Sequence, residues 1–214
     1  MSLQTQLEQG LLALGTGLPA AARQRLLDYA ALLDKWNKTY RLTAVHDPSL
    51  AVSHHLLDSL AVLPFLPSFA AATLLDVGSG GGMPGIPLAI ARPEMRVVLL
   101  DSSSKKTAFL RQVVIELRLT NIAVHCGRVE AYQPATRFDA ITARAFSDLA
   151  DLVKLSSHLL QTDGHWLAMK GIRPQDEIAR LPDDVRVDGV HRLDVPGVAG
   201  ERHLVVMSSC CSGL

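Results

Sequence analysis

From residue 74 to residue 87 the chain reads Leu74-Leu-Asp-Val-Gly-Ser-Gly-Gly-Gly-Met-Pro-Gly-Ile-Pro87, with four glycines in the five positions 78–82. A short apolar run (74–77) precedes the glycines and a helical pattern (86–91) follows them, so the segment reads as a tight strand-to-helix turn. Gly78, Gly80, Gly81 and Gly82 carry no Cβ, which lets the backbone turn sharply and lets a ligand approach the main chain. In an open α/β sheet such a turn lies at the carboxyl edge of its strand, where ligands bind.

The rest of the chain fits that frame. Before residue 73 the pattern is helical. Pro19 suits a helix start, and Leu26, Leu27, Tyr29, Ala30, Leu33 and Trp36 recur at helical spacing toward Tyr40. Asp47-Pro48 reads as a cap and first turn, and the apolar set from Leu50 to Leu63 predicts a further helix that stops at Pro64. From residue 73 onward apolar runs at 74–77, 97–100, 122–125, 138–142 and 166–169 alternate with helical stretches at 86–91, 105–117 and 149–160. That alternation predicts βαβ units and a doubly wound, mostly parallel α/β sheet. Residues 185–193 and 203–208 read as two more strands around a Pro196-Gly197…Gly200 turn, forming an antiparallel C-terminal hairpin at the sheet edge. The expected fold is a seven-stranded sheet (73–214) with a helical N-terminal extension (1–72), packed as one domain.

Composition narrows the function. The 214 residues carry 21 Lys+Arg against 21 Asp+Glu, which excludes a wholesale polycation but not a local basic face. Cys126, Cys210 and Cys211 form no C-x-x-C pair, so neither a disulfide framework nor a cysteine zinc site is expected. The eight histidines (His46, His54, His55, His125, His158, His165, His191 and His203) show no metal-ligand spacing. With no signal pattern at the N-terminus and no apolar stretch of membrane-spanning length, the expectation is a cytoplasmic monomer without metal.

Two cofactors compete for the glycine turn. Gly80-x-Gly82-x-x-Gly85 matches the dinucleotide fingerprint, with Asp101 about 20 residues on to bind a ribose. Against a dinucleotide stands Asp76, whose carboxylate would oppose a pyrophosphate and suits the ammonium and sulfonium charges of S-adenosylmethionine (AdoMet). Pro84 also removes a backbone N–H where a pyrophosphate would want one. The residues therefore favour AdoMet over a nicotinamide or flavin dinucleotide. Asp101 reads as a ribose acceptor or a helix cap, and Val129-Glu130 as an adenine-facing pair or a helix start.

Taken together, the glycine segment, Leu-Asp101-Ser-x-x-Lys105-Lys-x-x-Phe-Leu, Phe138-Asp-Ala-Ile-Thr-Ala-Arg144-Ala and Met169-Lys-Gly171 resemble the bacterial ribosomal RNA small subunit methyltransferase G family, also called glucose-inhibited division protein B. Lys35-Trp-Asn-Lys, Leu42-Thr-Ala-Val, His55-Leu-Leu-Asp-Ser-Leu60 and Val195-Pro-Gly…Gly200-Glu-Arg-His extend the resemblance over nearly the whole chain. Arg41, His54 and Met83 depart from the family's usual residues. The resemblance implies a Rossmann-like class I methyltransferase fold and cofactor contacts at Gly78, Met83, Val129, Glu130 and Arg144. It also implies methylation of guanine N7 in the decoding-centre loop of 16S ribosomal RNA, free or in the small-subunit particle.

That chemistry is economical. Guanine N7 presents a lone pair and no proton, so no general base and no nucleophile constellation is needed. Positioning and desolvation can supply on the order of 7–11 kcal/mol. Arg144 is the candidate catalytic residue, either on the cofactor or holding guanine O6; an ion pair with Asp139 or Asp148 is the structural alternative. For RNA, Lys105, Lys106, Lys170 and Arg173 are expected to form a phosphate-contacting rim, with further basic residues at Lys35, Lys38, Arg41, Arg111, Arg118 and Arg128. Trp36 and Tyr40 read as core. The competing functions are a dinucleotide-dependent oxidoreductase and a non-catalytic RNA-binding assembly protein.

Overall fold

The computed structural model describes residues 1–43, 45, 47–69, 72–146 and 148–210. His46 and Cys211, considered above, lie outside the described residues.

Two helices open the chain: α1 (Leu3–Ala13), capped by Ser2 Oγ accepting from Thr5 N, and α2 (Ala20–Tyr40). The 50–63 stretch is not one helix. A 3-10 turn (Pro48–Leu50) leads into a π-helix (Val52–Leu57), a short α3 (Asp58–Leu60) and a second 3-10 turn (Leu63–Phe65). Apolar spacing does not separate the π-helix from α3, because both bury their apolar residues.

The sheet alternates β1 (Thr73–Val77), α4 (Gly85–Ala91), β2 (Arg96–Asp101), α5 (Ser104–Glu116), β3 (Ile122–Cys126), β4 (Phe138–Arg144), α6 (Leu149–Ser156), β5 (Leu160–Lys170), α7 (Gln175–Ile178), β6 (Val185–Arg192) and β7 (His203–Ser209). Its order is β3-β2-β1-β4-β5-β7-β6. The first five strands are parallel, and β7 enters antiparallel between β5 and β6. This is the predicted seven-stranded, doubly wound sheet with its closing hairpin. One boundary differs. The helix expected to reach residue 160 gives way to a 3-10 turn (Ser157–Leu159), and β5 already begins at Leu160. The register steps from Phe138↔Leu160 to Ala140↔His165, so residues 161–164 bulge out of the pairing with β4. Their polar, Gly-containing sequence hid the strand.

Side chains alternate across the sheet with a period of two. Leu74, Leu99, Ala140, Leu167 and Leu204 face a core shared with α1, α2, α4 and α5. Leu75, Leu100, Ile141, Ala168 and Val205 face a second core with α6. Trp166 anchors the second face, fully buried, with its indole N–H donating to Ser156 Oγ at 2.9 Å. The N-terminal helices thus share the first core with the sheet. Among the described residues no helix is long and apolar enough to cross a membrane.

Candidate functional site

The strand order reverses between β1 and its parallel neighbour β4, and the carboxyl ends of these strands border a cleft of about 650 Å³. Its walls include the glycine loop, Arg144 and Ala145 at the end of β4, the end of β5, and Arg202 and His203 at the start of β7. Residues of the 42–58 segment close it from above.

The glycine loop is held from within. The N–H groups of Gly78 and Ser79 both donate to Leu100 O, at 2.8 and 3.0 Å. Gly80 N donates to Asp101 Oδ2 (2.9 Å) and Gly85 N to Asp76 Oδ2 (3.1 Å). Gly82 and Met83 N–H groups donate to Ser79 O, and Ile86 N to Gly82 O. Tyr29, fully buried on α2, donates its hydroxyl to Gly81 O at 2.6 Å. Gly78 and Gly80 adopt φ of 69° and 58°, and no atom lies within 4 Å of where a Gly78 Cβ would be. The loop therefore offers bare, open main chain, while most of its N–H donors are already spent.

Asp76 stands behind this loop rather than in the cleft. It is fully buried, with Oδ2 on Gly85 N and Oδ1 without a hydrogen-bond partner among the described residues. Burial pushes its carboxyl up to about 7, against the opposing pull of the Gly85 N–H, Ser79 and Arg144. It lies beneath the loop, outside the residues that line the cleft, and holds the loop through Gly85 N. Asp101 is similar. Its Oδ2 holds Gly80 N and its Oδ1 accepts from Ser103 N at 2.8 Å, while the cap of α5 is Ser103.

Arg144 ties three parts of the cleft together. Its Nη1 donates to His54 O (3.0 Å) and to Asp58 Oδ2 (3.1 Å), and its Nη2 lies 3.1 Å from Met83 Sδ. The ion-pair partner is thus Asp58, not Asp139 or Asp148. Asp139 is engaged by Thr73, and Asp148 caps α6 and pairs with Arg180. The next residue, Ala145, has φ 58°, a left-handed conformation that turns the chain at the cleft wall.

The other expected residues divide. Gly78, Gly80, Met83, Arg144, Lys106 and Lys170 line the cleft. Lys170 is mostly buried, 2.7 Å from Glu177 and donating to Phe146 O, so its charge is already compensated. Lys106 is half exposed, 3.7 Å from Asp101. Lys105 and Arg173 are exposed outside the cleft walls. Val129 packs into the second core and Glu130 is exposed beside Arg128, both at the end of β3. Trp36 packs on Phe109, but Tyr40 is 47 % exposed, against its reading as core. Lys38 is paired with Asp34 at 2.8 Å.

Three groups had no role in the sequence reading: Asp58, Arg202 and Tyr29. A lone carboxylate inside the apolar run Leu56-Leu-Asp-Ser-Leu60 was the available signal for Asp58. His55, expected to be buried and hydrogen-bonded, is 3 % exposed with Nε2 3.2 Å from Thr43 Oγ1. Its Nδ1 has no partner among the described residues. Burial and the nearby Arg144 push it down to about 4, so it is neutral at physiological pH.

A second cavity, of about 770 Å³, lies at the opposite, amino end of β4 and β5, between Phe65, Asp139, His165 and Asp188. It shares no lining residue with the glycine-loop cleft.

Comparison with known proteins converges on one group. The sequence profile described as "rRNA small subunit methyltransferase G" matches residues 22–205. The ribosomal RNA small subunit methyltransferase G of Laribacter hongkongensis is 55 % identical over 205 residues, 96 % of this chain and 98 % of that protein. That of Neisseria gonorrhoeae (strain NCCP11945) is 53 % identical over 208 residues, 97 % and 99 % respectively. In structure, the chain is similar to a protein of the NAD-binding Rossmann superfamily from Streptococcus agalactiae. That match has a TM-score of 0.60 at 20 % identity, over 73 % of this chain and 69 % of that one, a likeness of fold.

Proposed function

The chain belongs to the rRNA small subunit methyltransferase G family, and from that membership we propose that it uses AdoMet to methylate guanine N7 in the decoding-centre loop of 16S ribosomal RNA. The observation that carries the cofactor choice is the state of the glycine loop. A pyrophosphate needs free backbone N–H groups at a helix start. Here the N–H groups of Gly78, Ser79, Gly80, Gly82, Met83 and Gly85 are all donated inside the protein. What remains is open main chain at Gly78 and Gly80 beside a guanidinium, which fits an amino-acid-bearing cofactor better than a dinucleotide.

Gly78, Gly80, Met83 and Arg144 would hold AdoMet, with Asp76 and Asp101 shaping the loop from behind and Val129 and Glu130 reaching its adenosine end. When bound, AdoMet supplies an electrophilic methyl group on a positively charged sulfur. The protein's own task is then placement. N7 carries no proton, so no side chain must act as a base, and the neutral His55 fits that requirement. Arg144, fixed by Asp58 and His54 O, would orient the cofactor or the guanine O6 edge while leaving N7 free. The RNA substrate, with Lys105, Lys106 and Arg173 at the outer face, points to a cytoplasmic site of action on the small-subunit particle or its free RNA. The N-terminal helices and the sheet would work as one methyltransferase domain, because Leu42, Thr43, Val45, His54, His55 and Asp58 border the same cleft as the glycine loop.

Methyl transfer to small-subunit RNA from cells lacking this protein tests the reading, with mass mapping of the modified guanine. Arg144→Ala is expected to lose at least a hundredfold in transfer rate while the fold survives, because Asp58 keeps Arg202 as a partner. Heat on titration with AdoMet and none with NAD is the matching binding result. RNA binding without transfer by the wild-type protein would favour an assembly role instead.

A further inference from the structure

The cleft carries a second guanidinium that the reaction as described does not use. Arg202 lies 58 residues from Arg144 in the sequence, in the connection before β7, and both grip one carboxylate. Asp58 Oδ2 accepts from Arg144 and Asp58 Oδ1 from Arg202 Nε, each at 3.1 Å. Asp58 is 3 % exposed, whereas the two arginine side chains are 23 % and 28 % exposed. One buried negative charge therefore serves two cations that open into the cleft.

The neighbouring charges do not cancel the surplus. Lys170 is matched by Glu177, Lys106 lies near Asp101 and burial keeps His55 neutral, while the buried Asp76, its carboxyl pushed up to about 7, acts on Arg144 and not on Arg202. One uncompensated positive charge remains on the Arg144–Asp58–Arg202 group. A surplus of that kind invites an anion. Arg202 is also presented rigidly. Its carbonyl accepts from Leu193 N at 2.8 Å across the hairpin connection, and Nη1 donates to Glu201 O. Nη2 has no hydrogen-bond partner among the described residues.

Position decides between two anions. Arg144 ends β4, the strand next to β1, and touches Met83 of the glycine loop. Arg202 precedes β7, three strands from β1 in the order β1-β4-β5-β7. Their side chains nevertheless converge, since each donates at 3.1 Å to the one Asp58 carboxylate. A carboxylate of a cofactor on the glycine loop would meet Arg144 first. Arg202 hydrogen-bonds Asp58 and Glu201 O and no residue of the glycine loop, which leaves it for an anion that comes with the substrate.

We propose that Arg202 is a phosphodiester-binding residue for the RNA strand at the target guanine, and that Asp58 is the positioning residue that holds Arg202 and Arg144 side by side in one cleft. This rests on the RNA methyltransferase reading above and adds a specific anion site to it, on the hairpin rather than on the α/β loops.

The test uses the full-length protein with 16S ribosomal RNA and, separately, AdoMet. For Arg202→Ala, affinity for the RNA should fall about tenfold near 0.1 M salt. The slope of log affinity against log salt should flatten by about 0.7, one single-strand phosphate contact. KM for RNA should rise with kcat at saturating RNA largely kept, and AdoMet affinity should stay within twofold. Arg202→Lys should restore most of the slope and serves if the alanine variant folds poorly. An unchanged salt slope would overturn the assignment. So would AdoMet affinity falling in step with RNA affinity, since Arg202 would then act on the cofactor side through Asp58. Asp58→Asn should lower kcat more than it lowers RNA binding, because the surplus positive charge rises while its geometry is lost. A wild-type protein that binds RNA with the expected slope but takes no AdoMet sinks the methyltransferase reading and leaves the anion site standing.

Discussion

Asp76 and His55 are buried groups near one cleft whose titrations pull stability in opposite directions. Burial raises the Asp76 carboxyl from 3.8 to about 7. Its folded form thus keeps a proton that the unfolded chain loses, and stability present below pH 4 is lost as pH climbs toward 7. His55 is lowered from 6.5 to about 4. Its contribution is present above pH 6.5 and is lost as pH falls toward 4. The two effects oppose each other between pH 4 and 6.5, so the parent protein should show a flat profile there. Asp76→Asn keeps an acceptor for Gly85 N. Its stability relative to the parent should rise with pH from 4 to 7, by up to about 1.4 kcal/mol per unit. His55→Gln should gain relative to the parent as pH falls from 6.5 to 4. Urea unfolding from pH 4 to 8 measures both, and parallel curves for parent and variants would contradict the argument. The sequence located both residues but not their surroundings. Nor could spacing reveal that Asp58 joins Arg144 and Arg202, since the two pairs span 86 and 144 residues.

The elements differ in how openly the sequence declares them. Each buried parallel strand shows as an apolar run between helical stretches, and the glycine turn announces the junction of β1 and α4. The π-helix at Val52–Leu57 does not show, because its apolar stripe is the same as that of an α-helix. Its effect is local and chemical: it presents His54 O to Arg144 and leads directly into Asp58. Such insertions recur at functional sites because a displaced turn frees a carbonyl from the helical ladder. A second element-level link joins α2 to the glycine loop through the buried Tyr29 hydroxyl on Gly81 O. Tyr29→Phe removes that bond and leaves a buried carbonyl without its donor, at a cost of about 1–3 kcal/mol. The loop should also loosen, weakening AdoMet binding several-fold. Calorimetry beside urea unfolding separates the two effects. Lost stability with unchanged affinity would mean that the loop's own hydrogen bonds, not α2, set its shape.

At the scale of the molecule, equal numbers of acidic and basic residues mean that RNA attraction has to come from where the charges sit. The structure spends several cations internally: Lys170 on Glu177, Lys38 on Asp34, Arg180 on Asp148 and Arg92 on Glu94. Lys105 and Arg173 are exposed, Lys106 is half exposed, and Arg202 opens into the cleft. If these four each meet one phosphate, log affinity for single-stranded target RNA should fall with log salt at a slope near −3. Lys105→Ala and Arg173→Ala should each flatten that slope by about 0.7 and leave unfolding unchanged. Lys170→Ala should do the reverse, keeping the slope while destabilising the fold, because Glu177 would lose its nearby cation in a partly buried setting. Filter binding at several salt concentrations, paired with thermal melts, distinguishes the two classes. A slope unaffected by Lys105 and Arg173 but reduced by Lys170 would place the RNA inside the cleft wall rather than across its outer face.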